Sequence, residues 1–226
     1  MGATEQMRAA WDGRAETDAL TSIESSRRDW TSEAFLADGR TMVEQAMRWL
    51  GDDVERGRML EIGCGAGRTA LAFAEAFEFV DGVDISPRMI DLAVKGGLPE
   101  NVRLQASDGE SLALFDDASF DFVFSEHVFQ HVADKAVIAR YVREIGRVLR
   151  PGAVALLQFD TRRKGLDALL YGAVPRRLLP RERREFMRRY RRDPSWVRDV
   201  AEAAGLAVQW ERGPSSHWHW FAARRD

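Results

Sequence analysis

The chain has 226 residues, 45% hydrophobic, 10% aromatic and 31% charged, a composition that supports one substantial core and excludes global disorder. Even an uninterrupted apolar run such as residues 153–157, unsurpassed in length along the chain, stops at Gln158 and falls far short of the roughly 20 residues that a membrane-spanning helix needs. The formal charge of −3, taken whole, points to no nucleic-acid or membrane partner. With no apolar leader behind the polar start, the expected address is the cytoplasm. The single cysteine, Cys64, excludes an internal disulfide. Charge is nevertheless uneven: 17 basic against 28 acidic residues up to position 160, then 13 against 4 over 161–198.

The first 30 residues scatter Trp11, Leu20, Ile23 and Trp30 among polar positions, which reads as short helix and loop. Residues 31–50 carry Phe35, Met42, Ala46, Met47, Trp49 and Leu50 at helical spacing up to Gly51. A short apolar run at 58–62 is stopped by glycines, and 69–77 follows with Ala and Leu at a helical period: strand, tight turn, helix. A second strand, 79–83, ends on Asp84. Ser86 and Pro87 then open a helix as N-cap and first helical residue, with Met89, Ile90, Ala93 and Val94 as its buried stripe and Gly96-Gly97 as its stop. Two more strands are predicted at 101–106 and 120–124, then a helix at about 134–149, leading through Arg150-Pro151-Gly152 into a strand at 153–159. Asp193-Pro194-Ser195 begins a last helix that runs to Ala204. The strands at about 206–212 and 217–224 lie too close together for a crossover helix, so they are expected to form an antiparallel hairpin. Strands alternating with helices imply an open α/β fold, a parallel sheet covered on both faces that binds its ligand at the carboxyl ends of the strands.

The residues at those ends carry the chemistry. Leu60-Glu61-Ile62-Gly63-Cys64-Gly65-Ala66-Gly67-Arg68 joins a strand to a helix, and glycines at 63, 65 and 67 let a ligand press against bare backbone. A dinucleotide fingerprint would place its third glycine one residue later. Asp84 ends the second strand, where a carboxylate can accept from both hydroxyls of a ribose. Asp108, with Gly109, ends the third. Glycine turns and capping acids are common singly; at consecutive strand ends they point together to a cofactor site.

With these motifs the sequence resembles the class I S-adenosylmethionine-dependent methyltransferases, within them the small-molecule subgroup called type 11. Besides the glycine loop, the resemblance is carried by Val83-Asp84-Ile85-Ser86-Pro87-Arg88-Met89, Phe120-Asp121-Phe122-Val123-Phe124-Ser125, Val128-Phe129-Gln130-His131-Val132 and Glu144-Ile145-Gly146-Arg147-Val148-Leu149-Arg150-Pro151-Gly152. It implies a Rossmann-like seven-stranded sheet, mostly parallel with an antiparallel last strand. It further implies that Gly63, Gly65 and Gly67 pass under the methionine and ribose, with Cys64 as a small packing residue of the loop and Glu61 supporting it. Asp84 would hold the ribose, Ile85 and Met89 flank the adenine, Asp108 with Gly109 meet its amino edge, and Ser125 lie near the methionine amino group. No metal is required. One departure is Ala153, where the family often has a second glycine.

His127 and His131, four apart just past the fourth strand, are the candidate bases, because histidine titrates near neutrality. His131 also suits packing, since the resembled family often has a histidine there across unrelated substrates. His217-Trp218-His219-Trp220 alternates as a strand would, placing the tryptophans in the core and the histidines on an exposed face. Arg176, Arg177, Arg181, Arg183, Arg184, Arg188, Arg189, Arg191 and Arg192 surround Phe186, Met187 and Tyr190. They read as an amphipathic helix whose basic face is solvated or else receives an anionic substrate or an acidic carrier protein; RNA lacks an aromatic ladder to bind. The expected organisation is one domain, with a cap at 1–54, the cofactor core at 55–160, an insertion at 161–193 and the last helix and hairpin at 194–226. The expected activity is methyl transfer to an O or N nucleophile of a small molecule. The alternatives are a non-catalytic cofactor-binding or regulatory protein, an NAD-type oxidoreductase and a nucleic-acid methyltransferase.

Overall fold

The structure is a computed structural model and describes residues 2–17, 19–23, 30–52, 54–162 and 189–226. Helices α1 (Ala3–Thr17), α2 (Ala19–Ile23) and α3 (Ser32–Leu50) precede β1 (Arg58–Ile62), α4 (Ala70–Phe73), β2 (Phe79–Asp84), α5 (Pro87–Lys95) and β3 (Val102–Ala106). The chain continues with β4 (Phe120–Ser125), α6 (Lys135–Val148), β5 (Leu149–Phe159), α7 (Pro194–Glu202), β6 (Leu206–Arg212) and β7 (His219–Arg225). These strands form one seven-stranded sheet in the order β3-β2-β1-β4-β5-β7-β6. Strands β1 to β5 pair in parallel, whereas β7 runs antiparallel to both β5 and β6.

Side chains that alternate along the strands divide between two cores. Leu60 and Ile62 of β1 join Ala155, Leu157 and Phe159 of β5 and the apolar stripe of α6 on one face. Met59, Phe122, Phe124, Val154 and Leu156 join α3, α4 and α5 on the other. Caps fix the helix starts: Thr31 accepts from Ala34 N, Ser86 from Met89 N, Asp134 from Ala136 N and Asp193 from Ser195 N. α6 passes close to the end of α7 at Gly146, where an added Cβ would overlap the carbonyl oxygen of Ala204. Gly146→Ala is therefore expected to cost about 1–3 kcal/mol by overpacking, read from urea denaturation.

Several expectations are corrected here. The N-terminal segment is a 15-residue helix, α1, rather than short helix and loop. α4 closes at Phe73, and β5 begins at Leu149, because Leu149 pairs with Phe120 before the register shifts at Val154. β7 begins at His219, leaving His217 and Trp218 in the turn before it. Because β7 lies inside the sheet, His219 is not on an exposed face. It is fully buried, with Nδ1 2.8 Å from Thr161 Oγ1 and Nε2 2.9 Å from Glu211 Oε2, while Trp218 of the supposed core face is partly exposed. Among the described residues no helix is long and apolar enough to cross a membrane.

Candidate active site

The carboxyl ends of β1, β2, β3 and β4, with α1 lying over them, line a partly open cavity, at the place where open α/β sheets bind their ligands. Its floor is the loop after β1. Gly63 and Cys64 both donate to Val83 O, at 2.7 and 3.1 Å, which folds the loop back over β2. Gly63 has φ +78°, and a Cβ there would overlap Val128 Cγ2, so the turn and the close approach both require glycine. Gly65 donates to Asp84 Oδ2 at 2.9 Å, and Ser86 N donates to Oδ1 at 2.8 Å. Burial pushes the Asp84 carboxyl up to about 6 against those two bonds, and the nearby charge of Asp12 adds to the rise.

Glu61 lies on β1 beneath this loop. Its Oε1 accepts from Thr69 Oγ1, while Oε2 is buried without a hydrogen-bond partner in the cavity wall. Burial pushes this carboxyl up to about 8, overriding the Thr69 hydroxyl and the charge of Arg68. An unpartnered buried acceptor aimed at a cavity fits a ligand bearing a cationic or N–H donor group. Ile85 and Met89 provide apolar walls nearby, and Gly109, at φ +76°, packs where a Cβ would overlap Ile85.

α1 supplies the lid. Thr4 Oγ1 donates to Glu110 at 2.6 Å, Arg8 to the carbonyls of Ser107 and Asp108 at 3.3 Å, and Ser86 Oγ to Asp12 at 2.6 Å. An ion pair joins Glu16 to Arg88. α1 buries none of its residues, yet Met7 and Trp11 reach the cavity. Trp11 stands edge-on to His131 at 5.5 Å. The loop after β4 closes the opposite wall, where Gln130 Nε2 lies 3.1 Å from His127 Nδ1 and 3.4 Å from His131 Nε2, so each imidazole commits one nitrogen to the same amide. Arg68 bridges Asp38 and Glu126 in a buried network beside them.

The family described as a methyltransferase domain matches residues 60–157, the segment that builds this floor and both walls of strand ends. An uncharacterized methyltransferase of Bacillus subtilis, YcgJ, is 39% identical over 103 residues, covering 44% of this chain and 39% of that one. Over residues 60–157 the chain resembles the class I S-adenosylmethionine-dependent methyltransferases. It spans only about two fifths of the length of the first curated relatives it matches. A longer, weaker match is the ubiquinone biosynthesis O-methyltransferase of Bordetella avium, 26% identical over 209 residues, covering 90% of this chain and 77% of the relative. In fold, the chain is similar to the magnesium protoporphyrin IX methyltransferase of Synechocystis with bound S-adenosylhomocysteine, at TM-score 0.71 and 17% identity, with both chains fully covered.

Glu61, Gly63, Cys64, Gly65, Asp84, Ile85, Met89, Gly109, His127 and His131 all line the cavity. Three expected contacts do not. Gly67, at φ +86°, donates to Cys64 O and shapes the turn from behind, facing Leu71 and Ala93. The Asp108 carboxylate turns away to accept from Glu110 N, Ser111 N and Ser111 Oγ, as an N-terminal turn acid does. Ser125 is fully buried, and its hydroxyl donates to Ile62 O, bracing β4 against β1. The sequence reading also passed over Arg68, Glu126, Ser107 and Tyr141, which line the wall. Arg68 closes the glycine-loop motif and Glu126 directly follows the β4 motif, a usable signal; Tyr141 looked like core because it lies on the apolar stripe of α6.

Most of the arginine-rich insertion lies outside the described residues, Arg176, Arg177, Arg181, Arg183, Arg184 and Arg188 included. Arg192 is described and corrects the expectation of a solvated face: it is buried, and its guanidinium donates to the carbonyls of Val132 and Ala133. That removes it from any surface that could receive an acidic carrier. Among the described residues no group of three or more His, Cys, Asp or Glu could hold a metal ion.

His127 sits at φ +59°, in the left-handed region that residues with a Cβ rarely adopt. His127→Val is expected to destabilise by about 1–3 kcal/mol, whereas His127→Gly should stay within about 1 kcal/mol because relief of strain offsets lost ring contacts. Denaturant midpoints at constant m-value compare the two.

Proposed function

We propose that the protein transfers a methyl group from S-adenosylmethionine to an O or N nucleophile of a small molecule. The observation that carries this reading is a cavity with carboxylates at consecutive strand ends on one side and two histidines on the other. Bound S-adenosylmethionine supplies an activated sulfonium methyl. Gly63 and Gly65 offer bare backbone to the cofactor, Asp84 accepts from its ribose, and Ile85 and Met89 flank its adenine. Glu61 Oε2, otherwise without a hydrogen-bond partner, accepts from its ammonium group. His127 lines the cavity and takes the proton released by a protonated nucleophile at Nδ1, giving up its hydrogen bond from Gln130 Nε2 as it does so, while α1 excludes water. An O-methyltransferase and N-methyltransferases of small molecules among the relatives support the acceptor class.

Titration calorimetry with S-adenosylmethionine, S-adenosylhomocysteine and NAD tests the cofactor. Micromolar binding of the first two and none of NAD is expected; preference for NAD would sink the proposal. Radiolabelled methyl transfer to a panel of phenols, carboxylic acids and amines tests the reaction. Tight cofactor binding with no transfer to any of them would favour the regulatory alternative.

A further inference from the structure

The buried length of β5 is apolar except at Gln158, which is 0% exposed. A primary amide in that setting requires hydrogen-bond partners, and both its ends have one. Oε1 accepts from the backbone N–H of His127 at 2.9 Å, and Nε2 donates to the backbone carbonyl of His217. One side chain thus ties the first residues after β4 to the turn ahead of β7. Packing alone does not call for it, since Leu156 fills the same face of the strand one step earlier. Nor does Gln158 line the cofactor cavity.

What the amide holds is the strained residue. His127 keeps its left-handed backbone, a conformation that persists where the surroundings over-determine it. Its imidazole is set between the edge of Trp218, with ring centroids 4.6 Å apart, and Gln130, in the wall of the cavity. Were the 127 amide released, the backbone could relax toward negative φ and carry the ring away from that position.

We propose that Gln158 is a positioning residue for methyl transfer, fixing the His127 backbone so that the imidazole faces the acceptor end of the cavity. The inference rests on the methyltransferase reading above. Gln158 touches neither cofactor nor acceptor and acts only through His127.

The first test needs no acceptor. In protein labelled with 15N-histidine, the His127 ring resonances are expected to shift when S-adenosylhomocysteine is added. Gln158→Leu should abolish that response while leaving the dissociation constant of S-adenosylhomocysteine within about twofold; an unchanged His127 response would overturn the proposal. Gln158→Glu keeps an oxygen for the His127 amide and loses the donor to His217, so it should preserve the response. Equal loss in both variants would also overturn it. The second test is a double-mutant cycle on turnover of whichever panel acceptor is methylated. Gln158→Leu should lower kcat about tenfold, less than the roughly 100-fold or greater loss of a general base itself because the imidazole is displaced rather than removed, yet cost no further activity in a His127→Gly background. Equal losses in both backgrounds would overturn the proposal and leave Gln158 a structural bridge. Failure of the unmodified protein to bind S-adenosylhomocysteine would instead sink the methyltransferase reading.

Discussion

Asp84→Ala is expected to weaken binding of S-adenosylhomocysteine by about 100-fold or more, measured by titration calorimetry. The carboxylate does two things at once. It accepts from the amides of Gly65 and Ser86, which locks the glycine loop onto the end of β2, and in the proposed complex its remaining lone pairs meet the ribose. Hydrogen bonds to a charged acceptor contribute about 1.5–3 kcal/mol each, so losing the ribose contacts and loosening the loop together reach or exceed two orders of magnitude. Folding should survive, because Gly65 and Asp84 both line the cavity, where water can replace the carboxylate. A folded variant with unchanged affinity would refute the ribose role.

Glu61→Gln should raise the stability of the cofactor-free protein at pH 8 by a few kcal/mol, an order-of-magnitude figure from its raised acidity. In the folded chain this carboxyl titrates at about 8, against 4.5 ordinarily. Between those values the folded state keeps a proton that the unfolded state has released, so stability falls as pH rises through the window. Asp84, raised to about 6, acts in the same direction below pH 6, which leaves the interval from 6 to 8 to Glu61. Thermal midpoints of the two proteins should therefore converge toward pH 5 and separate by several degrees at pH 8. A cationic ligand group beside Oε2 favours the charged carboxylate, so cofactor binding should release a proton below pH 8 and tighten as pH rises. Glu61→Gln should lose that proton release, seen as the dependence of binding enthalpy on buffer ionisation. A pH-independent difference in stability would show that Glu61 stays charged in the fold.

The α/β alternation and the terminal hairpin were legible because period and turn chemistry are local. The glycine loop and Asp84 were legible for the same reason: both lie at strand ends that hydropathy marks. Pairing between distant strands was not. The early start of β5 depends on Leu149 meeting Phe120, and the burial of His219 depends on β7 entering between β5 and β6; neither partner is visible from its neighbours in sequence. Asp108 shows the limit within a motif. An acid at a strand end can face the ligand or cap its own turn, and three hydrogen bonds to residues 110 and 111 take it to the second. Trp11 and Arg192 changed meaning through contacts with the loop after β4, more than fifty residues away from either.

Because α1 is fastened by hydrogen bonds and an ion pair while burying none of its residues, it can lift at the cost of little core contact, chiefly the partly buried Met7. Such an excursion requires far less free energy than global unfolding, and amide exchange in α1 should be correspondingly fast beside that of β4 and β5. Departure of the spent cofactor would then follow the fastening of this helix rather than the chemistry beneath it, and added salt, by weakening the Glu16 to Arg88 contact, should hasten turnover wherever release sets the pace.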